Sequence, residues 1–303
     1  MTFPVCCDRL QNSVNPVRWI AIIGLLLAAL ALGGCSAVRL GYNNAQPLTY
    51  WWLDRYFDFD TPQAERVRAD LQTLHDWHRS EALPRVAGML QTLRLGAPND
   101  TTPEQLCSLY TAFRSDAAAT LGRLVPTLAD ISPTLTDAQL AHIAQMFDQR
   151  NQKWRTEWLD GTPAQRAERR IKGMVKRVQW FYGDLAPEQV AVIQEHVNAS
   201  TVDFQAVYDE RLARQKDALQ TLRAVRDNGA ITPAEREAVL HALLARAITP
   251  PDPAVRAAWA RWSVQTCTGV AALHNRITEA QRARLADNLQ TYEDDARALV
   301  AQR

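Results

Sequence analysis

The stretch His75-Asp76-Trp77-His78 carries the residue types best suited to metal or acid–base chemistry. On a helix, His75 and His78 stand at i, i+3, nearly on one face, with Arg79 and Glu81 close by. Two imidazoles and a carboxylate are a donor set for zinc or another divalent ion. The spacing is not the i, i+4 of the metalloprotease helix. The other histidines beyond residue 34 (His142, His196, His241 and His274) are scattered singly. The plainer reading makes His75 and His78 surface or half-buried imidazoles with Trp77 in the core. No metal and no cofactor is expected, and His75 and His78 stand only as fallback ligands. Asp54, Asp58 and Asp60 form an acidic group, but a paired-carboxylate hydrolase needs two carboxylates facing across a cleft. Capping or solvated acids account for them. There is no Gly-rich phosphate loop, no Gly-x-Ser-x-Gly elbow and no Cys-x-x-Cys. The chain therefore reads as a non-enzyme.

A second chemical feature is Leu32-Gly33-Gly34-Cys35. Arg9 and Arg18 supply a basic region, and Trp19 to Leu32 is an apolar run without charge. Small Gly33 and Gly34 then admit a peptidase just before a thiol. This is the layout of a secretory signal, with Cys35 as the sulfur nucleophile for a diacylglycerol thioether. Cleavage between Gly34 and Cys35 frees an α-amine for a third acyl chain. An uncleaved anchor is the alternative, but the run is shorter than the ~20 apolar residues of a membrane span. Each buried CH₂ contributes about 0.8 kcal/mol, so two or three chains hold where one does not. Ser36, in place of an Asp, leans towards outer-membrane sorting. The long region before Trp19 leaves room for a start codon downstream of Met1.

Removing residues 1–34 leaves 303 − 34 = 269 residues, enough for one large or two small cores. The removed part holds Arg9, Arg18 and Asp8, so the balance becomes 34 − 2 = 32 basic against 33 − 1 = 32 acidic. Zero net charge gives no pull towards nucleic acid, which is not expected as a partner. Cys107 and Cys267 remain beside Cys35. In an oxidising compartment they form one disulfide, or else they are two buried thiols.

Two stretches are suited to binding. Trp51, Trp52 and Tyr56 belong to the densest aromatic block, residues 50–59. They are core residues, or they rest at a headgroup interface near the lipid. Arg166, Arg169, Arg170, Lys172, Lys176 and Arg177 form the one basic cluster. It is a solvated face, or a face for anionic headgroups or an acidic partner.

The elements that must position these residues are helices. One start signal recurs at Asp60, Thr102, Thr136, Thr162, Ala186, Thr232 and Thr278, each followed three residues later by Gln or Glu. It is a capping box, often with Pro at the first helical position. Ala186 has no side-chain acceptor and caps poorly. The caps predict helices near 62–82, 84–95, 103–130, 137–159, 163–183, 187–228, 233–248, 253–275 and 279–302. The segment 187–228 would be one helix of about 60 Å. Caps at 186, 232 and 278 are evenly spaced, at most a degenerate hairpin repeat. The expected fold is all-α: an elongated multi-helix bundle with long helices and no sheet. Residues 1–34 are the signal peptide, 35–49 a lipidated tether with turn-forming Gly41, Asn43, Asn44 and Pro47, and 50–303 the helical domain.

Leu40-Gly41-Tyr42-Asn43-Asn44, Trp52 to Asp58, His75 to Arg79, Glu81 to Arg85 and the Ile277–Leu299 end together resemble an uncharacterised family of Gram-negative lipoproteins, a domain of unknown function. The resemblance implies an all-helical lipoprotein and assigns no activity. Leu135-Thr136-Asp137-Ala138-Gln139 is also similar to the helix-start motif of Spy/CpxP-type periplasmic chaperones. The expected protein is a non-enzymatic interaction or structural lipoprotein of the cell envelope, anchored by lipid in the outer membrane and facing the periplasm, its protein partner unidentified. A chaperone-like binder of unfolded periplasmic proteins is the alternative, and a metal protein or hydrolase using His75 and His78 a second.

Overall fold

The computed structural model describes residues 37–302. Asp60, Thr102, Thr136, Thr162, Thr232 and Thr278 each accept from the backbone N–H three residues on, and the Gln or Glu there reaches back to the cap N–H. Two orphan donors are thereby satisfied at each of these starts. At Ala186 only half the box forms: its N–H donates to Gln189 Oε1 at 3.0 Å. Among the described residues every element is helical. None is long and apolar enough to cross a membrane.

In chain order the α-helices are α1 (Ala37–Asn43), α2 (Ala45–Phe57), α3 (Thr61–Trp77), α4 (Leu83–Gly96), α5 (Pro103–Gly122), α6 (Val125–Ile131) and α7 (Asp137–Trp158). There follow α8 (Pro163–Tyr182), α9 (Pro187–Asn198), α10 (Phe204–Asp227), α11 (Pro233–Ile248), α12 (Pro253–His274) and α13 (Glu279–Ala301).

Three expectations change. Residues 37–49, expected as a tether, are helical. Pro47 sits in the first turn of α2, where its missing N–H costs no bond. Asn44 closes α1 by donating from Nδ2 to Leu40 O at 2.8 Å. The single helix over 187–228 is two, because Ser200, Thr201 and Val202 are poor helix formers and Asp203 starts α10 by accepting from Gln205 and Ala206 N–H. The longest described helix is thus the 24-residue α10, about 36 Å at about 1.5 Å per residue. The helix expected over 103–130 is also two, α5 and α6, parted by a turn at Arg123-Leu124 just before Pro126. At Pro84 an α-helix restarts, as α4 from Leu83, with the proline in its first turn. Residues His78–Ala82 widen into a π-turn, with Leu83 N donating to His78 O, which relieves the clash between the Pro84 ring and the Ser80 carbonyl.

The helices repeat in order. α2–α7 and α8–α13 are two six-helix units with matching contacts: α2 on α3 and α8 on α9, α2 on α7 and α8 on α13, α3 on α6 and α9 on α12. The middle hairpins are exchanged. α4 and α5 of the first unit pack on α13 and α12 of the second, whereas α10 and α11 pack on α7 and α6 of the first.

Side chains obey the same symmetry. Buried Gln63 and Gln139 pair, with Gln139 Nε2 donating to Gln63 Oε1 at 2.6 Å. Buried Gln189 pairs with Gln281, its Nε2 donating to Gln281 Oε1 at 2.7 Å. Each glutamine also donates to the carbonyl two residues before its partner's cap: Gln63 to Thr134, Gln139 to Asp58, Gln189 to Arg276 and Gln281 to Asp184. Arg94 on α4 meets buried Glu293 at 2.9 Å, and its counterpart Arg211 on α10 meets buried Asn151 at 2.7 Å. Thr127 donates to Asp70 where α6 crosses α3. At the equivalent crossing Gly269 lies against the His196 ring, so closely that a β-carbon there would collide with it.

The cores are correspondingly divided. Leu140, Ile143, Leu222 and Leu240 anchor one cluster, and Val67, Leu71 and Ile131 a second beside it. Ile193, Val197, Leu273 and Ile277 anchor the second unit, and Leu83, Ala87, Ala296 and Leu299 bind α4 to α13. The Cys107 and Cys267 sulfurs are bonded, 2.06 Å apart, tying α5 to α12 across the exchange.

Candidate functional site

The residues singled out for chemistry converge at the π-turn. α1 brings Tyr42 and Asn43 against the end of α3, and α13 brings its C-terminus to the same place. Tyr42 Oη lies 2.9 Å from His78 Nδ1, and its ring centroid is 4.9 Å from that of His75. Arg79 donates to Asn43 Oδ1 at 2.7 Å and to Gln302 O at 3.0 Å, and its guanidinium stands 5.6 Å from the Tyr42 ring centroid. Arg39 pairs with Asp295 of α13 at 3.0 Å. Burial, then the Arg79 charge, pulls His75 below the usual imidazole range. Burial, then His75 and Arg85, does the same for His78. Burial raises the Tyr42 phenol, with Arg79 opposing it. The pair is thus biased towards neutral imidazoles, and a neutral His78 accepts from the phenol. His75 Nε2 is buried without a hydrogen-bond partner. No group of three or more His, Cys, Asp or Glu among the described residues is arranged to hold a metal. The arrangement is a clasp that seats the first helix on the body.

The acidic group has structural duties. Asp60 caps α3. Asp54 Oδ1 accepts from Phe59 N at 3.2 Å and from Tyr50 Oη at 3.3 Å. Asp58 ends α2 in the left-handed conformation.

Beside the clasp lie exposed apolar side chains. Val38 and Leu40 on α1, and Leu48, Trp51 and Trp52 on α2, are between 41% and 63% exposed. Leu48, Trp51, Trp52 and Arg55 follow the i, i+3, i+4, i+7 pattern of one helix side, and the Arg55 guanidinium stands 5.3 Å from the Trp51 ring centroid. Gly41, Leu48 and Trp52 line one shallow groove between the two helices. Tyr56 is half-buried, its ring 4.9 Å from Trp52 and 6.1 Å from Phe147. Of the expected aromatic face, Trp51 and Trp52 face outward and Tyr56 faces inward. Gly34 and Cys35 lie outside the described residues.

The basic cluster on α8 divides. Arg166 donates to Leu159 O and Gly161 O, and Arg169 to Glu157 O and Asp160 O. These cations satisfy carbonyls at the C-terminus of α7, where the helix dipole favours positive charge. Arg170 stands 4.9 Å from the Phe204 ring centroid. Lys172, Lys176 and Arg177 are exposed, and so is Trp180, whose Nε1 donates to Tyr292 Oη at 3.0 Å. The aromatic and basic faces thus belong to equivalent helices of the two units.

Sequence reasoning took Gln63, Gln139, Gln189 and Gln281 as caps alone and missed their pairing. An apolar residue precedes each paired cap (Phe59, Leu135, Leu185, Ile277), whereas Thr101 and Gly161 precede two exposed ones. Ile231 before Thr232 breaks the rule. Arg94–Glu293 carried no local signal, being 199 residues apart.

Fold and site together define an all-helical bundle of two exchanged units, with a clasped N-terminal helix pair presenting exposed apolar side chains. The chain belongs to a family of unknown function, DUF6279, which matches residues 55–247, or 247 − 55 + 1 = 193 of the 303 residues. The match runs from the end of α2 through α11, and leaves Tyr42 and the two last helices outside it. No curated protein and no solved structure matches the chain.

Proposed function

We propose that this protein is a lipid-anchored, non-enzymatic lipoprotein of the cell envelope, held in the outer membrane by acyl chains on Cys35 and facing the periplasm. The observation that carries the reading is the exposed apolar side of α2, Leu48, Trp51 and Trp52, with exposed Val38 and Leu40 on α1 before it. Val38 is three positions from Cys35, so a lipid there would bring these side chains to the bilayer. Trp51 and Trp52 suit the headgroup level, where amphipathic rings are favoured. The exposed side chains and the lipid then act as two membrane signals, the combination stable attachment requires. The bond between Cys107 and Cys267 suits an oxidising compartment. The role at the membrane is to bind protein or envelope components through the helical surfaces.

Cells expressing the wild type and Cys35→Ala are labelled with radioactive palmitate and fractionated. The expected result is label and outer-membrane recovery for the wild type, and loss of the label in Cys35→Ala. An unlabelled wild type overturns the reading.

A second reading, a chaperone-like binder of unfolded proteins, is favoured by the wide groove of about 610 Å³ between the starts of α10 and α12, where Val207, Trp259 and Trp262 offer apolar surface. It requires that the protein suppress aggregation of a denatured client, and inactivity across several clients removes it. His75 and His78, weighed as metal or hydrolase residues, are instead engaged by Tyr42, whose Oη bonds His78 Nδ1 and whose ring packs 4.9 Å from that of His75.

A further inference from the structure

An apolar cavity of about 310 Å³ lies where the α10–α11 hairpin of the second unit packs into the first. Its walls come from both neighbouring clusters of the first unit: Leu53, Phe59 and Leu124 from one, Leu240 and Leu244 from the other, with Leu128 shared. The pocket opens to solvent on one side, and Leu128 packs against both clusters beside it. Its size falls at the small end of ligand sites, about 300–1,000 Å³.

The lining is strongly sided. Val67 and Leu240, nearly inaccessible, form the floor. Half-exposed Leu121 lies towards the mouth, and Arg214 and Asp217 are the charged residues of the lining. Asp217 is spent on Arg246, which meets both its oxygens at 2.9 and 3.0 Å. Arg214 is less well served. Nη1 donates to Ala247 O at a long 3.3 Å, and Nε stands 3.5 Å from Glu210 Oε1, with neither of those two atoms in a hydrogen bond. Its guanidinium lies 5.3 Å from the Trp259 ring centroid. Burial pulls Arg214 below the usual guanidinium range, with Glu210 opposing. An open aliphatic pocket with a cation at its edge, held only by long contacts to Glu210 and Ala247 O, complements a molecule with a single flexible chain and an acidic head.

We infer that the cavity between the two units binds one acyl chain, its tail on Leu240 and Val67 and its carboxylate or phosphate head at Arg214. The site draws on α2, α3, α5, α6, α10 and α11, so binding bridges the exchanged units. A diacyl lipid is too large to enter with both chains. The inference does not depend on the lipidation of Cys35.

The test uses the full chain in phosphatidylethanolamine/phosphatidylglycerol vesicles. Two photoactivatable probes carry a diazirine near the methyl end of a saturated chain: a free fatty acid and a lysophospholipid. Crosslinked peptides are mapped by mass spectrometry. Adducts are expected on α6 and α11, around Leu128 and Leu240, and excess unlabelled palmitate should compete them away. Leu244→Trp, placed at a half-buried wall to spare the core, should abolish these adducts while circular dichroism and melting remain those of a folded protein. Arg214→Gln should reduce labelling on the order of tenfold, as expected for losing a charged hydrogen bond, without affecting a fatty-alcohol probe of the same length. Labelling by the fatty acid alone assigns a carboxylate head, and by the lysophospholipid alone a phosphate head; either supports the site. Adducts confined to Val38–Trp52, or adducts on α6 and α11 unaltered in both variants, overturn it.

Discussion

The clasp around Tyr42 shows how single side chains decide whether the N-terminal helices belong to the body. Burial, aided by Arg79 at His75 and by His75 and Arg85 at His78, and opposed by Asp76 at His75, holds the folded-state proton affinity of both imidazoles below the ordinary value of 6.5. A lowered folded pKa means that the unfolded chain takes up protons first. The contribution of this pair to stability is therefore present above about pH 6.5 and is lost as the pH falls through the lower folded values. Thermal unfolding of the wild type should weaken between about pH 7 and about pH 5, and His75→Gln/His78→Gln should flatten that slope. An unchanged slope in the double variant would assign the acid sensitivity elsewhere. At this scale the sequence showed which residue types were present but not their use. The spacing of His75 and His78 put them on one helix face, and only the return of α1 placed Tyr42 against both.

Helix starts were legible because a cap is local: the cap, Pro and Gln or Glu lie within four residues. Helix ends and breaks were less so. The 199–203 break was hidden in an apolar periodicity that continues on both sides, although Asp203 after Ser200-Thr201-Val202 was a readable second start. Ala186 offers the direct test of the capping argument. Its backbone already has the extended geometry of a cap and its N–H already donates to Gln189. Ala186→Ser should add the missing acceptor and raise stability by about 1 kcal/mol in denaturant unfolding. No gain, or a loss, would show that the Gln189–Gln281 pair already holds that helix start without a cap acceptor.

For the whole molecule, the exchange of hairpins is decisive. α4 and α5 bury their apolar sides on α13 and α12, and α10 and α11 bury theirs on α7 and α6. Each unit buries part of its core on the other, so the two units are expected to unfold as one cooperative body. The link between Cys107 and Cys267, 160 residues apart, contributes about 5 kcal/mol in the chain-entropy model. Cutting the chain between Asp160 and Gly161 should leave each half poorly helical by circular dichroism, and mixing the halves should restore helix content and a single melting transition. A first half that melts cooperatively by itself, with native helicity, would refute the interdependence.

Fold class, most helix positions and their starts were determined by the sequence alone, because capping, proline placement and apolar periodicity act within one or two turns. The six-helix repeat escaped it for the opposite reason. The even spacing of the caps at 186, 232 and 278 suggested a hairpin unit, but the true period is carried by contacts between residues about 75 to 200 positions apart: Gln63 with Gln139, Gln189 with Gln281 and Arg94 with Glu293. The cavity at Arg214 likewise exists only where α10 and α11 cross into the other unit. Such features are set by which surfaces bury each other, a choice that only the complete packing of the chain makes.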